Sequence, residues 1–400
     1  MAKKSHLSVA DLRGYSAIAV DATIGLTSLV ETMHHNILRT PGILGAPAQG
    51  PTSGITGFVY KSIRGVTRAV GSGIDAALAR LVPMFGSGAT STEREAVLAA
   101  LNGVLGDHLQ RRANPLAIPM QFRLDGRALE LTSTALNTAM PHATGKVLLL
   151  VHGLCMNDLQ WRRKGHDHGA SLCADAHFTP VRLRYNSGLH VSENGRALAD
   201  EIETLLRAWP VPVDELVILA HSMGGLVTRS ACHYAALAQR EWLKHLCKIV
   251  FLGTPHHGAP LERGGNWIDT VLDASPYTSA FSRLGKIRSA GITDLRHGNM
   301  VDEDWAHEDR FARSRRKPCT VQLPADVQCY TVAASLAKKT ERAKSLLGDG
   351  LVPLASALGQ HKDPQRSLPF AKSRQWIGYG MNHLDLLDHA EVYARIRSWV

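Results

Sequence analysis

The chain has six cysteines, at 155, 173, 232, 247, 319 and 329, and no two of them are spaced as C-x-x-C. That excludes the common zinc and thiol-redox motifs. Cys155 and Cys232 are expected as reduced, small core residues. No uninterrupted apolar run reaches the roughly 18 residues of a membrane-spanning helix. Met1-Ala2-Lys3-Lys4 leads into a polar stretch rather than an apolar core with a cleavage site, so no secretory signal is expected. A cytoplasmic, reducing location follows as the expectation, with peripheral contact at a membrane surface left open. A concentrated basic patch is also missing. The formal charge is +10, yet Lys and Arg are scattered, and the densest run, Arg313-Ser314-Arg315-Arg316-Lys317, has no interleaved aromatics. A solvated basic loop is expected there, with no nucleic-acid partner; a weak attraction to anionic lipid headgroups stays open.

What is present points to an enzyme. The 400 residues, 44% of them hydrophobic, allow one large domain plus an appendage. Leu216-Val217-Ile218-Leu219 reads as a buried strand, and Gly225 to Ala231 continues as a helix. Between them, Ala220-His221-Ser222-Met223-Gly224 places a serine between small residues at −2 and +2, the pattern of a nucleophile elbow. Ala220 stands where that pattern usually has glycine. A serine hydroxyl needs a histidine to take its proton and an acid to orient that histidine. Downstream, Gly348-Asp349-Gly350 and Asn382-His383-Leu384 supply them in the order Ser222, Asp349, His383. Taken singly, these are a helix-capping serine, an Asp-Gly turn and a helix-start histidine; the order makes them a set. Lys146 to Val151 is a further apolar strand, ending at His152-Gly153-Leu154-Cys155. The backbone N–H groups of Leu154 and Met223 are assigned to an oxyanion hole.

These segments, with Gly253-Thr254-Pro255-His256-His257-Gly258 and Asp349-Gly350-Leu351-Val352, resemble the lipase and esterase branch of the α/β-hydrolase superfamily. The resemblance covers roughly residues 118 to 400. It is nearest to bacterial lipase-like proteins and the lipase-like domain of inositol-deacylase proteins. It implies a serine carboxyl-ester hydrolase with Ser222 as nucleophile, His383 as base and Asp349 as orienting acid, and an ester or lipid substrate. In some bacterial lipases an aspartate at the position of Asp385 binds calcium. No second carboxylate for such a site is identifiable here, so Asp385 is read as a cap of the final helix and no metal or cofactor is assigned.

Strands alternating with helices predict a mainly parallel sheet covered on both faces. The sequence suggests a hairpin of Met120–Leu124 and Leu129–Thr132 around Asp125-Gly126, a helix near 193–209, and a last helix from Leu384 to Trp399. The hydrolase domain is placed at 116–400. Between Thr254 and Val327 the chain exceeds a simple crossover, so a helical cap is expected near 259–320, over Ser222, with His256 and His257 in structural roles. His166-Asp167-His168 reads as an exposed polar loop. Residues 1–115 form an amphipathic helical extension: Leu12 to Ile37 and Ile55 to Leu78 carry apolar stripes, and a third helix runs from Thr92 to about Arg111, with Thr90 and Glu93 at capping-box spacing. Packing, self-association or peripheral membrane contact through these helices stays open, as do acyl transfer or amide hydrolysis on the same three residues, or a non-catalytic scaffold.

Overall fold

The computed structural model describes residues 13–14, 16–21, 92–259, 289–306, 318–338 and 348–400. The chain divides into two compact units, one of 1–94 with 109–117 and one of 95–108 with 118–400. In the first, Asn114 donates to the Gly14 carbonyl at 3.2 Å and Arg112 pairs with Asp21. The expected helices at 12–37 and 55–78 lie outside the described residues, apart from the helical residues 13–14 and 16–21.

In chain order the elements are α1 (Thr92–Arg111), β1 (Gln121–Leu124), β2 (Arg127–Ala128), α2 (Ser133–Ala139), β3 (Lys146–Val151), α3 (His168–Ala176), β4 (Thr179–Arg184), α4 (Val191–Arg207) and β5 (Glu215–His221). They continue with α5 (Met223–Leu237), β6 (Leu246–Leu252), α6 (Ala290–His297), β7 (Gln328–Ser335), α7 (Leu354–Ala357), β8 (Gln375–Tyr379) and α8 (Ala390–Arg397). Of α1, residues 95–108 belong to the larger unit. Among the described residues eight strands form one sheet in the order β2-β1-β4-β3-β5-β6-β7-β8. The pairings from β4 through β8 are parallel, and β1 runs antiparallel to β2 and β4. This is the α/β-hydrolase architecture.

The central strands are apolar without alternation because both of their faces are buried. Leu148 and Leu150 of β3 join Leu172 of α3 and Val392 and Ile396 of α8 in one cluster. Val147, Leu149 and Val151 point to the opposite face and are as fully buried. Burying each such side chain is worth about 1.5–3 kcal/mol. Helices α4 and α5 pack so closely that a Cβ on Gly195 would collide with the Ser230 hydroxyl.

Three expectations are corrected. The hairpin turns at Asp125-Gly126 as expected, both at positive φ (47° and 77°), but its second strand is Arg127–Ala128 rather than Leu129–Thr132, because so tight a two-residue turn pairs the residues directly after it. The last helix is α8 alone, capped by the side chain of His389, and a separate 3-10 turn, Asp385–Leu387, precedes it. Asp385 therefore does not cap the final helix: its carboxylate accepts from Asn382 N at 2.9 Å. His166 and His168 are not in an exposed loop. His168 is fully buried, facing Nε2 of His166 at 2.7 Å and the Leu386 carbonyl at 3.0 Å, while Asp167 caps α3 and pairs with Arg182.

Of the expected cap, 289–306 and 318–320 are described. They supply α6, held to the body by buried Asp294, which accepts from Val191 N at 2.9 Å. The rest lies outside the described residues. No helix among the described residues is long and apolar enough to cross a membrane.

Candidate active site

In a parallel sheet the loops at the carboxyl ends of the strands converge at one edge. Gly153-Leu154 follows β3, Ser222 follows β5, Gly253 follows β6, Asp349 lies beyond β7 and His383 beyond β8. The segments singled out in the sequence are thereby brought to one side of the sheet.

Ser222 is the single residue between β5 and α5, at φ 55° and ψ −126°. That conformation is costly for a residue with a Cβ, and the neighbours hold it in place. Ser222 N donates to the Leu252 carbonyl at 2.8 Å. A Cβ on Gly224 would stand 2.5 Å from the carbonyl oxygens of Val151 and His152, and one on Gly225 would collide with Thr254. These approaches are why the flanks must be small. Ala220 fits because it is the penultimate residue of β5, before the tight turn, and is fully buried.

His383 Nδ1 stands 2.6 Å from Asp349 Oδ2. Asp349 Oδ1 accepts from Leu351 N and Val352 N at 2.9 and 2.8 Å, and its carbonyl accepts from His383 N at 3.2 Å. Gly253, at φ 58°, lies under the ring: a Cβ there would be 3.0 Å from His383 Cε1. Asp349 and His383 thus form a direct pair. Ser222 lies against Gly153, where a Cβ would be 3.0 Å from its own Cβ. No hydrogen bond joins the Ser222 hydroxyl to the His383 ring in this structure.

Gly153 and Cys155 shape the loop after β3. Cys155 takes φ 58°, and its N–H is used by Ser187 Oγ at 3.1 Å. The N–H groups of Leu154 and Met223, the two assigned to an oxyanion hole, have no protein acceptor among the described residues. Gly291 at the start of α6 sits beside this region: its N–H donates to the Gly188 carbonyl at 3.0 Å, and a Cβ there would be 3.1 Å from Met223 Cε.

Three neighbours carry roles the sequence reading did not assign. The His221 ring lies 4.6 Å from that of His383, and its Nε2 donates to the His383 carbonyl at 3.2 Å. Burial, and then His383, push its pKa well below the ordinary histidine value, so it is a neutral prop under the His383 loop. His152 donates from Nδ1 to the Gly153 carbonyl at 2.8 Å, and burial brings its pKa to about 3. Tyr185 stacks on it at 4.3 Å and donates to its carbonyl at 2.9 Å. The loop before α3 clamps the turn after His383: Arg163 pairs with Asp388 at 3.1 Å, and Lys164 reaches Asp385 at 3.3 Å and Asp388 at 3.4 Å. His256 and His257 stand apart from the Asp349–His383 pair: His256 meets Phe251 and Phe370, and His257 meets the Gly359 carbonyl at 3.0 Å.

The sequence model of the PGAP1-like alpha/beta domain matches residues 142–327. No curated protein matches the chain. Among solved structures, the chain is similar to a Bacillus licheniformis lipase in its mature form, at 13% identity over 64% of this chain and 91% of that one, with a TM-score of 0.41. It is also similar to a Pyrococcus furiosus esterase, at 11% identity over 65% and 81%, TM-score 0.38. A metagenomic carboxyl esterase is 17% identical over 77% and 88%, TM-score 0.34.

Proposed function

We propose that this chain hydrolyses carboxylic esters, of small molecules or lipids, through an acyl-serine intermediate. The observation that carries the reading is the strained Ser222 at the head of α5 on the same sheet edge as the Asp349–His383 pair. Ser222 Oγ attacks the ester carbonyl while His383 Nε2 takes its proton; contacts of this kind tighten when substrate is bound. Asp349 keeps Nδ1 protonated and faces the imidazolium that forms. The negative charge on the carbonyl oxygen is received by the N–H groups of Leu154 and Met223, and losing one such donor costs about 2.7–4 kcal/mol in related sites. His383 then gives its proton to the departing alcohol. It next takes one from a water, which attacks the acyl-serine and releases the acid, and the proton returns to Ser222.

The test is turnover of p-nitrophenyl esters of increasing chain length by wild type and Ser222→Ala. The variant should lose hydrolysis across the series while keeping its thermal midpoint; undiminished turnover refutes the assignment.

A further inference from the structure

Arg229 lies two turns along α5 from Ser222, on a helix whose inner face is otherwise apolar or small. It is 2% exposed, and no carboxylate pairs with it among the described residues. Its Nη2 donates to the Val321 carbonyl and its Nη1 to the His256 carbonyl at 3.5 Å. The Nε–H has no partner among the described residues. His256 is buried beside it, with Nδ1 3.4 Å from Arg229 Nη1. A guanidinium can only donate, so Nδ1 is the accepting nitrogen and a neutral His256 carries its proton on Nε2. That N–H also has no partner among the described residues. Two buried donors without acceptors, one of them on a full positive charge, are rare in a folded interior and costly unless something answers them.

Both residues line a small, partly open cavity of about 10 Å³, together with Thr320, Val321, His257 and Arg366, and among the described residues no Asp or Glu lines it. Its volume suits one particle the size of a water. Burial brings Arg229 down to about 10, and His257 falls to about 4 through burial and then the nearby positive charge of Arg229. The lining is therefore electropositive, with neutral histidines supplying hydrogen bonds rather than charge.

We propose that this cavity is a site for one small inorganic anion of chloride size, held by the Nε–H of Arg229 and the Nε2–H of His256, with Arg366 at its rim. A water would satisfy the two donors; only an anion also balances the guanidinium. An ion here ties α5, which carries Ser222 at its head, to the segment 318–321. The inference does not depend on the hydrolytic reading.

The test is thermal unfolding of the full chain at fixed pH and ionic strength, replacing sodium gluconate by sodium chloride or bromide. A saturable rise in midpoint is expected with either halide, since an ion that binds the folded state alone stabilises it by mass action. Arg229→Gln should abolish the response, and Arg366→Gln, which removes only the rim charge, should shift it to higher halide concentration. Crystals grown in bromide should show an anomalous peak in the cavity, a readout that needs no variant to fold. Equal midpoints in gluconate and chloride, an equal halide response in Arg229→Gln, or an absent bromide peak would each overturn the proposal.

Discussion

Asp349 grips the imidazole of His383 at 2.6 Å with one carboxylate oxygen and two backbone amides, of Leu351 and Val352, with the other. Both oxygens are committed, so the ring is presented in a single tautomer, with Nε2 left for chemistry. Asp349→Asn removes the charge and offers an amide N–H where an acceptor is needed. The expected result is a kcat lower by about 10⁴ with KM little changed, as when the orienting acid of such a set is replaced by its amide. Steady-state kinetics on a soluble ester checks it; a kcat within about a factor of ten of wild type would remove Asp349 from the mechanism.

Residues 95–108 of α1 brace the loop that follows β3. A Cβ on Gly103 would collide with Cys155 Sγ, Ser289 Oγ donates to the Gly103 carbonyl at 2.6 Å, and Asn186 Nδ2 donates to the Gly106 carbonyl at 3.0 Å. In a free helix Gly→Ala stabilises by about 1 kcal/mol. Here Gly103→Ala should instead lower the melting temperature and kcat/KM together. Cys155→Gly in the same chain should restore both in part, since it removes the Sγ clash and suits the positive φ at 155, while the backbone of 155 stays 3.0 Å from the added Cβ. Melting curves and kinetics of the single and double variants decide it.

Thiol chemistry should sort the cysteines by burial. Burial pushes Cys155 and Cys329 up to about 12 and Cys232 higher still, whereas Cys173 and Cys319 are exposed. In the folded protein an aromatic disulfide reagent should modify Cys173 and Cys319 and leave the three buried thiols untouched until denaturant is added. Early modification of Cys155 by mass spectrometry would contradict the placement of the β3 loop.

Acid should weaken the fold before it protonates carboxylates. His152 and His168 are buried and neutral, with pKa values brought to about 3 and 4, against 6.5 unfolded. Below pH 6.5 the unfolded chain takes up protons at these rings and the folded chain does not, so stability falls as pH drops towards 4. Each ring contributes roughly 1.4 kcal/mol per pH unit in that window. Urea midpoints between pH 7.5 and 5 should decline, and His168→Gln should flatten the decline; a midpoint constant over that range would show that the rings are not held neutral.

Much of this site was readable in the order of residues. Glycines and small residues mark where backbones approach, so Ser222, Asp349, His383 and the Gly153 turn stood out, and the long apolar strands placed them at one sheet edge. Roles that depend on packing between distant segments were not readable. His221 looks the same in sequence whether it faces solvent or props the His383 carbonyl. Gly103 carries no mark of Cys155 across the fold. The polar triplet 166–168 suggests solvent, yet the His168 ring finds His166 and the Leu386 carbonyl inside. The sequence does not show where the final helix starts, because Asp385 is a plausible cap, whereas in the structure 385–387 is a separate 3-10 turn that buries Leu386 and Leu387 and His389 caps the helix.

A fluorophosphonate probe reacts with a serine only where a base and an oxyanion site act on it together. Incubated with the full chain and read by intact mass and peptide mapping, it should add once, on Ser222, and Ser222→Ala should stay unlabelled. An unlabelled wild type, or an adduct that persists in Ser222→Ala, would contradict the assignment of this serine as a nucleophile.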